Sequence, residues 1–134
     1  MNMAKKIEEN LHRSICEFIK LQYPKVIFNT DMSGVKLSKY PAKKMKGLRS
    51  SNGFPDIAIY EKNNPIGESY EYSALFLEVK KETPYKLNGE LKKDAHLEEQ
   101  DEMHIKLRER GYKADFVWSL EQAIVIINNY MNNV

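Results

Sequence analysis

Three residues in the middle of the chain could together carry out acid–base or metal chemistry. Asp56 follows Pro55 at the start of an apolar segment, and Glu78 and Lys80 stand two positions apart at the end of another. Because side chains alternate between the faces of a strand, Glu78 and Lys80 lie side by side on one face. Burying an acid and an amine there costs desolvation energy unless they pair or hold a metal. For Glu78 and Lys80 alone, a strand-end salt bridge is the simplest interpretation.

Asp56 favours the metal interpretation. If its strand pairs with the strand of Glu78, the two carboxylates meet at one sheet edge, where they repel each other unless a cation lies between them. A hard divalent ion such as Mg²⁺ binds a few carboxylate oxygens, a backbone carbonyl such as that of Val79, and water. Such an ion activates water and neutralises charge on a phosphate oxygen. Lys80 could orient that water or stabilise the same charge.

A basic segment leads into this motif. Residues 36–49 contain no acidic side chain, and their cations are Lys36, Lys39, Lys43, Lys44, Lys46 and Arg49. Each cation can displace a condensed counterion from a phosphate backbone, which predicts a nucleic-acid-binding role. A solvated loop is the alternative. The segment belongs to a predicted connection over residues 31–52, and connections of that length are usually functional or mobile.

The bulk composition is typical of one compact domain. The chain has 134 residues, of which 42% are hydrophobic and 30% charged, and its formal net charge is +2. That length is enough for one core but not for two. The single cysteine, Cys16, excludes an internal disulfide and a cysteine-based zinc site. Residues 1–20 lack a signal-peptide core and no apolar run could cross a bilayer, so we expect a cytoplasmic protein without a membrane partner.

Two further classes of site are disfavoured by the sequence. His12, His96 and His104 are too scattered for a histidine metal site. The chain has no glycine-rich phosphate loop, which argues against a nucleotide cofactor and an ATP-driven activity.

Hydrophobic periodicity and turn residues predict the order helix, three strands, helix, strand, helix. The predicted helices cover residues 4–22, 94–110 and a last segment after Ser119, and the predicted strands cover 26–30, 54–60, 72–80 and 113–118. Gly111 is typical of a helix C-cap, and Ser119 with Gln122 matches a capping box. This order predicts a mixed α/β domain whose central sheet is flanked by helices.

Pro55-Asp56 followed by Glu78-Val79-Lys80 resembles the signature of the PD-(D/E)XK nuclease superfamily. The surrounding segments resemble, in the same order, those of the virus-type replication-repair nuclease (VRR-NUC) family. These segments are residues 53–56, 76–80, 97–100, 107–112 and 117–123. The resemblance covers nearly the whole chain, and the stand-alone size fits small phage and bacterial members. It implies one nuclease domain over residues 1–134 with a restriction-endonuclease-like αβββαβ core.

The resemblance also implies an activity, namely divalent-metal hydrolysis of DNA phosphodiester bonds with Mg²⁺ or Mn²⁺. Small members of the family resemble Holliday-junction resolvases and act on branched DNA, often as homodimers. In this chain Asp56 and Glu78 would be metal ligands, and Lys80 would be the catalytic lysine.

In the family that the chain resembles, a glutamate on the first helix usually joins these metal ligands. Glu8 precedes Leu11, Ile15 and Ile19 by three, seven and eleven residues, so it shares their inward stripe. Glu9 is the second choice. The alternative for Glu8 is an acid near the start of the helix that is favoured by the macrodipole.

Gln100 matches the family's glutamine on the second helix. Its spacing places it with Leu97, His104 and Leu107 on a stripe that faces the sheet. Its amide could bind an active-site water or Lys80, or form a buried structural hydrogen bond. His12 departs from the family, which often has glutamine there, and its role stays open.

We therefore predict a structure-selective DNA endonuclease, and two alternatives remain. A sequence-specific restriction or nicking endonuclease would need base-edge readers, for which only residues 31–52 are available. A non-catalytic nucleic-acid-binding module with a nuclease-like fold would be favoured if the carboxylates or the lysine were missing.

Overall fold

The computed structural model of the protein describes residues 2–31, 48, 50, 52–63 and 71–132. Helix α1 (Met3–Gln22) is followed by strands β1 (Phe28–Thr30), β2 (Ile57–Ile59) and β3 (Leu75–Val79). Helix α2 (Ala95–Glu109), strand β4 (Lys113–Val117) and helix α3 (Leu120–Met131) complete the order. This is the predicted order of elements, but every strand is shorter than the sequence indicated.

The four strands form one mixed sheet in the order β1-β2-β3-β4. The first three strands are antiparallel neighbours, and β4 runs parallel to β3. Parallel neighbours need a crossover connection, and α2 provides it. The register pairs Ile57 with Leu77 and Glu78 with Phe116. The structure therefore confirms a mixed α/β sheet with flanking helices.

Helices cover both faces of the sheet. On one face, α1 and α3 pack over the strands and form the main apolar core, which includes Ile15, Ile19, Ile57, Leu75, Leu77, Val79, Val117, Ala123 and Ile127. On the other face, α2 packs against β4, where the His104 ring lies 4.5 Å from the Phe116 ring, centroid to centroid. The alternation of β3 thus puts Leu77 and Val79 in the core and leaves Glu78 on the opposite side.

Local signals fix the ends of the helices near the site. The Asp94 carboxylate caps α2 by accepting the N–H groups of His96 and Leu97 at 2.8 and 3.0 Å. Gly111 follows the helix with a φ of 89°, as its C-cap role predicts. At α3, the Ser119 hydroxyl accepts the Gln122 N–H at 3.1 Å, while the Gln122 side chain accepts from Trp118 rather than from Ser119. No helix in the described ranges is both long and apolar enough to span a membrane.

Candidate active site

Backbone hydrogen bonds on two sides fix Asp56 immediately before β2. Its N–H donates to the Leu77 carbonyl at 3.0 Å, and its carbonyl accepts the Asp31 N–H at 2.7 Å. Its side chain turns towards β3, where Oδ2 accepts the Val79 N–H at 2.8 Å. The pairing of β2 with β3 therefore brings Asp56 next to Glu78, as the sequence predicted.

The loop before Asp56 is held against α2 by a close backbone contact. Gly53 has a φ of 85°, a conformation that side-chain-bearing residues rarely adopt. A Cβ atom at Gly53 would also lie 3.0 Å from the Glu99 carbonyl oxygen. This contact couples the position of Asp56 to the helix that carries Gln100.

Glu78 is a buried carboxylate with an unsatisfied oxygen. It is 4% exposed, and within the described part of the chain its Oε1 has no hydrogen-bond partner. Burial raises the pKa of Glu78 well above its ordinary value, and the hydrogen bond with Asp56 and the charge of Asp56 raise it further. The charge of Lys80 lowers the pKa of Glu78, and the charge of Glu8 raises it. Glu78 can therefore ionise readily only if another cation lies close to the pair.

The donor set fits a hard divalent cation. Mg²⁺ is usually bound by one or two carboxylates and keeps water and substrate phosphate oxygens as further ligands. Asp56 and Glu78 supply two carboxylates, and the Val79 carbonyl follows Glu78 directly. Among the residues that the structure describes, no three Asp, Glu, His or Cys side chains converge into a metal site on their own. This donor set therefore fits an ion that completes its coordination shell with water and substrate oxygens.

Helix α1 brings two side chains, one turn apart, to the carboxylate pair. Glu8 Oε1 accepts the Lys81 N–H at 3.3 Å, and its charge acts on Glu78. His12 is 6% exposed, and its Nε2 has no partner in the described ranges. Burial lowers the pKa of His12, and the charge of Asp56 opposes that shift. Glu8, the first choice from the sequence, therefore lies by the site, and a neutral His12 lies beside Asp56.

Lys80 is held by the buried glutamine of α2. Its Nζ donates to Gln100 Oε1 at 3.0 Å, and Gln100 is 6% exposed. The Gln100 Nε2 lies 3.4 Å from His96 Nε2, one helical turn earlier. Of the partners that the sequence left open for Gln100, the structure selects Lys80. His96 was not predicted at the site, although its spacing of four residues from Gln100 was an available signal.

The predicted phosphate-binding residues are the six cations of the basic segment. All of them lie outside the described residues, so their role remains a prediction. They are Lys36, Lys39, Lys43, Lys44, Lys46 and Arg49.

The whole fold has a counterpart among solved structures. The chain matches a VRR_NUC domain protein with a TM-score of 0.66 and 20% sequence identity, over 95% of this chain and 89% of that chain. No protein-family model matches the sequence, and no curated protein does either. The protein therefore has a VRR-NUC-like fold, which confirms the fold class that the motifs implied.

Proposed function

We propose that this protein is a metal-dependent DNA endonuclease that hydrolyses phosphodiester bonds and prefers branched DNA. The observation that carries the proposal is the buried pair of Asp56 and Glu78, in which one Glu78 oxygen has no partner among the described residues, next to Lys80. Carboxylates pushed together in this way are typical of functional sites rather than of structural ion pairs. The VRR-NUC-like fold supports the nuclease class, because the matching structure carries that name.

In this proposal Asp56, Glu78 and the Val79 carbonyl would hold Mg²⁺ or Mn²⁺. Glu8, which does not converge with the two carboxylates in the described residues, would join them as a further ligand when the ion binds. The bound ion supplies an activated water and stabilises charge on the phosphate. Lys80 orients the attacking water or donates to the same phosphate oxygen. Gln100 restricts the ammonium of Lys80 by accepting a hydrogen bond from it, with 3.0 Å between Lys80 Nζ and Gln100 Oε1. Such a contact keeps the lysine in position before the substrate arrives.

The basic segment over residues 36–49 is the proposed grip on the DNA backbone. The segment carries six Lys and Arg side chains and no acidic one. A homodimer would present two equivalent sites, one for each scissile strand of a four-way junction. Both assignments concern features outside the described residues and are separate from the test of Asp56.

The test is cleavage of labelled four-way junctions, flaps and plain duplexes in Mg²⁺ by wild type and by Asp56→Asn. The variant keeps the size of the side chain and removes its charge, so we expect a loss of more than about 100-fold in rate with DNA binding retained. Glu82→Gln, which changes an exposed acid near Lys80, is the control and should cut normally.

Other results would redirect the proposal. Wild-type rates from Asp56→Asn would remove Asp56 from the chemistry. Cutting of plain duplex at fixed sequences would indicate a restriction or nicking enzyme. DNA binding without any cutting would indicate a non-catalytic module.

A further inference from the structure

A cleft of about 360 Å³ opens beside Asp56. It lies on the sheet face opposite the main core, where Ala58 and Phe76 alternate with the buried residues of β2 and β3. Asp56 forms part of its wall, so the cleft is continuous with the carboxylate pair. Its volume falls within the range of about 300–1,000 Å³ that is usual for small-molecule sites.

Three aromatic rings line the cleft. Phe54 is 36% exposed and Tyr60 is 51% exposed, while Phe76 is half-buried with its ring 5.2 Å from that of Tyr112. Exposed aromatic rings in a concave site are suited to a flat ligand that can stack on them. The Tyr60 hydroxyl donates to Asn29 Oδ1 at 3.0 Å on one side of the cleft.

The lining away from Asp56 suits an uncharged group. Its charged side chains in the described part of the chain, Asp31 and Asp56, are both acidic. Asp56 belongs to the proposed metal site, so beyond it the described lining is aromatic and apolar apart from Asn29 and Asp31. The part of a nucleotide that matches such a lining is its flat, uncharged base.

We infer that this cleft receives the base of an unpaired nucleotide next to the phosphodiester bond at Asp56. The inference rests on the proposed nuclease function, and it narrows the substrate. Inside a duplex both faces of a base are covered by its neighbours, so only an unpaired or extruded base can enter a pocket. The cleft therefore favours branches that contain unpaired nucleotides, such as flaps and splayed arms, over a fully paired four-way junction.

The test is the equilibrium binding of a flap that carries 2-aminopurine at its first unpaired position, in Ca²⁺. Stacking on a protein ring quenches this fluorophore, so the readout does not depend on cleavage. Wild type is also compared on the same flap with an abasic nucleotide at that position. We expect quenching on the first substrate and an affinity roughly 5- to 100-fold lower on the second, because base–aromatic stacking has that strength.

Two pairs of variants test the Tyr60 ring and the open space of the cleft separately. Tyr60→Ala removes the ring and should weaken flap binding by the same factor, whereas Tyr60→Phe keeps the ring and should bind like wild type. Ala58→Leu fills the cleft and should also weaken binding, whereas Ala58→Ser leaves it open. Circular dichroism of each variant checks the fold, and the abasic substrate tests the inference on wild-type protein alone.

Equal affinity of wild type for the intact and abasic flaps would overturn the inference, even if the protein cuts branched DNA. Quenching and base-dependent binding without any cutting would instead support the cleft and remove the nuclease proposal. If a second copy of the chain fills the cleft, Ala58→Leu will abolish a concentration-dependent dimer and leave flap affinity unchanged, which also overturns the inference.

Discussion

Replacing Glu78 with glutamine is expected to stabilise the metal-free protein and to abolish its response to metal. Glu78 is 4% exposed, and Oε1 lacks a partner within the described residues. Burial, followed by the hydrogen bond with Asp56 and the charge of Asp56, raises its pKa well above the ordinary value. The glutamine amide has the same shape as the carboxylate, carries no charge and can donate a hydrogen bond to Asp56.

The expected gain follows from the cost of the buried group. An unsatisfied buried acceptor costs about 1–3 kcal/mol and more when it is charged; glutamine keeps an acceptor there but removes the charge and gains a donor for Asp56. In EDTA at pH 8, Glu78→Gln should therefore raise the free energy of unfolding by about 1–3 kcal/mol. At roughly 4 °C per kcal/mol for a chain of this size, the thermal midpoint should rise by about 4–12 °C.

The pH dependence has a defined sign. The folded state binds the Glu78 proton more tightly than the unfolded chain does, whose ordinary pKa is 4.5. Wild type should therefore lose stability as the pH rises from about 4.5 through the raised folded pKa. The advantage of Glu78→Gln should grow as the pH rises above 4.5 and should shrink as the pH falls back towards 4.5.

The assay is thermal unfolding followed by circular dichroism, in EDTA from pH 4.5 to 8 and then over a Mg²⁺ titration. At about 100 times its dissociation constant, Mg²⁺ should stabilise wild type by about 2.7 kcal/mol and leave Glu78→Gln unchanged. Glu82→Gln removes a nearby exposed carboxylate and should behave like wild type. The reasoning would be refuted if Glu78→Gln were less stable than wild type in EDTA at pH 8 and still responded to Mg²⁺.

Changes at three other positions test the supporting residues. Gln100→Ala removes the acceptor of Lys80 and should lower kcat about 10- to 100-fold while DNA affinity is retained; unchanged turnover would remove it from the site. His104 is fully buried, and burial lowers its pKa from 6.5 to about 4. Wild type should therefore lose stability as the pH falls through that range. In urea unfolding, the free energy of unfolding of His104→Leu minus that of wild type should be about 2 kcal/mol larger at pH 5 than at pH 8. Gly53→Ala, at a φ of 85° and 3.0 Å from Glu99, should destabilise by about 1–3 kcal/mol, and a wild-type thermal midpoint would contradict this.

The order of elements and the meeting of Asp56 with Glu78 could be predicted because local signals determine them. The alternation over residues 75–80 gives the face of Glu78, and Gly111 marks the end of α2. The strand lengths could not be predicted in the same way. β2 is only Ile57–Ile59, the three residues that pair with β1, although the strand predicted from the sequence extends beyond them on both sides.

Contacts between distant segments account for what the sequence left open. Helical spacing gives the face on which Gln100 lies, but the angle between α2 and the sheet decides that its partner is Lys80. The aromatic cleft unites residues from four separate segments, represented by Asn29, Tyr60, Phe76 and Leu107. No local pattern links these residues, so only the folded sheet reveals them.

The measurement that tests the central claim most directly is the rate of cleavage of a labelled flap by wild type and by Lys80→Ala, in Mg²⁺ and in EDTA. The neighbouring Lys81→Ala, which changes an exposed lysine, is the matched control. We predict cutting by wild type and Lys81→Ala in Mg²⁺, none in EDTA, and a loss of more than about 100-fold in Lys80→Ala. Cutting that persists in EDTA, or wild-type rates from Lys80→Ala, would contradict a metal-dependent centre built on Asp56, Glu78 and Lys80.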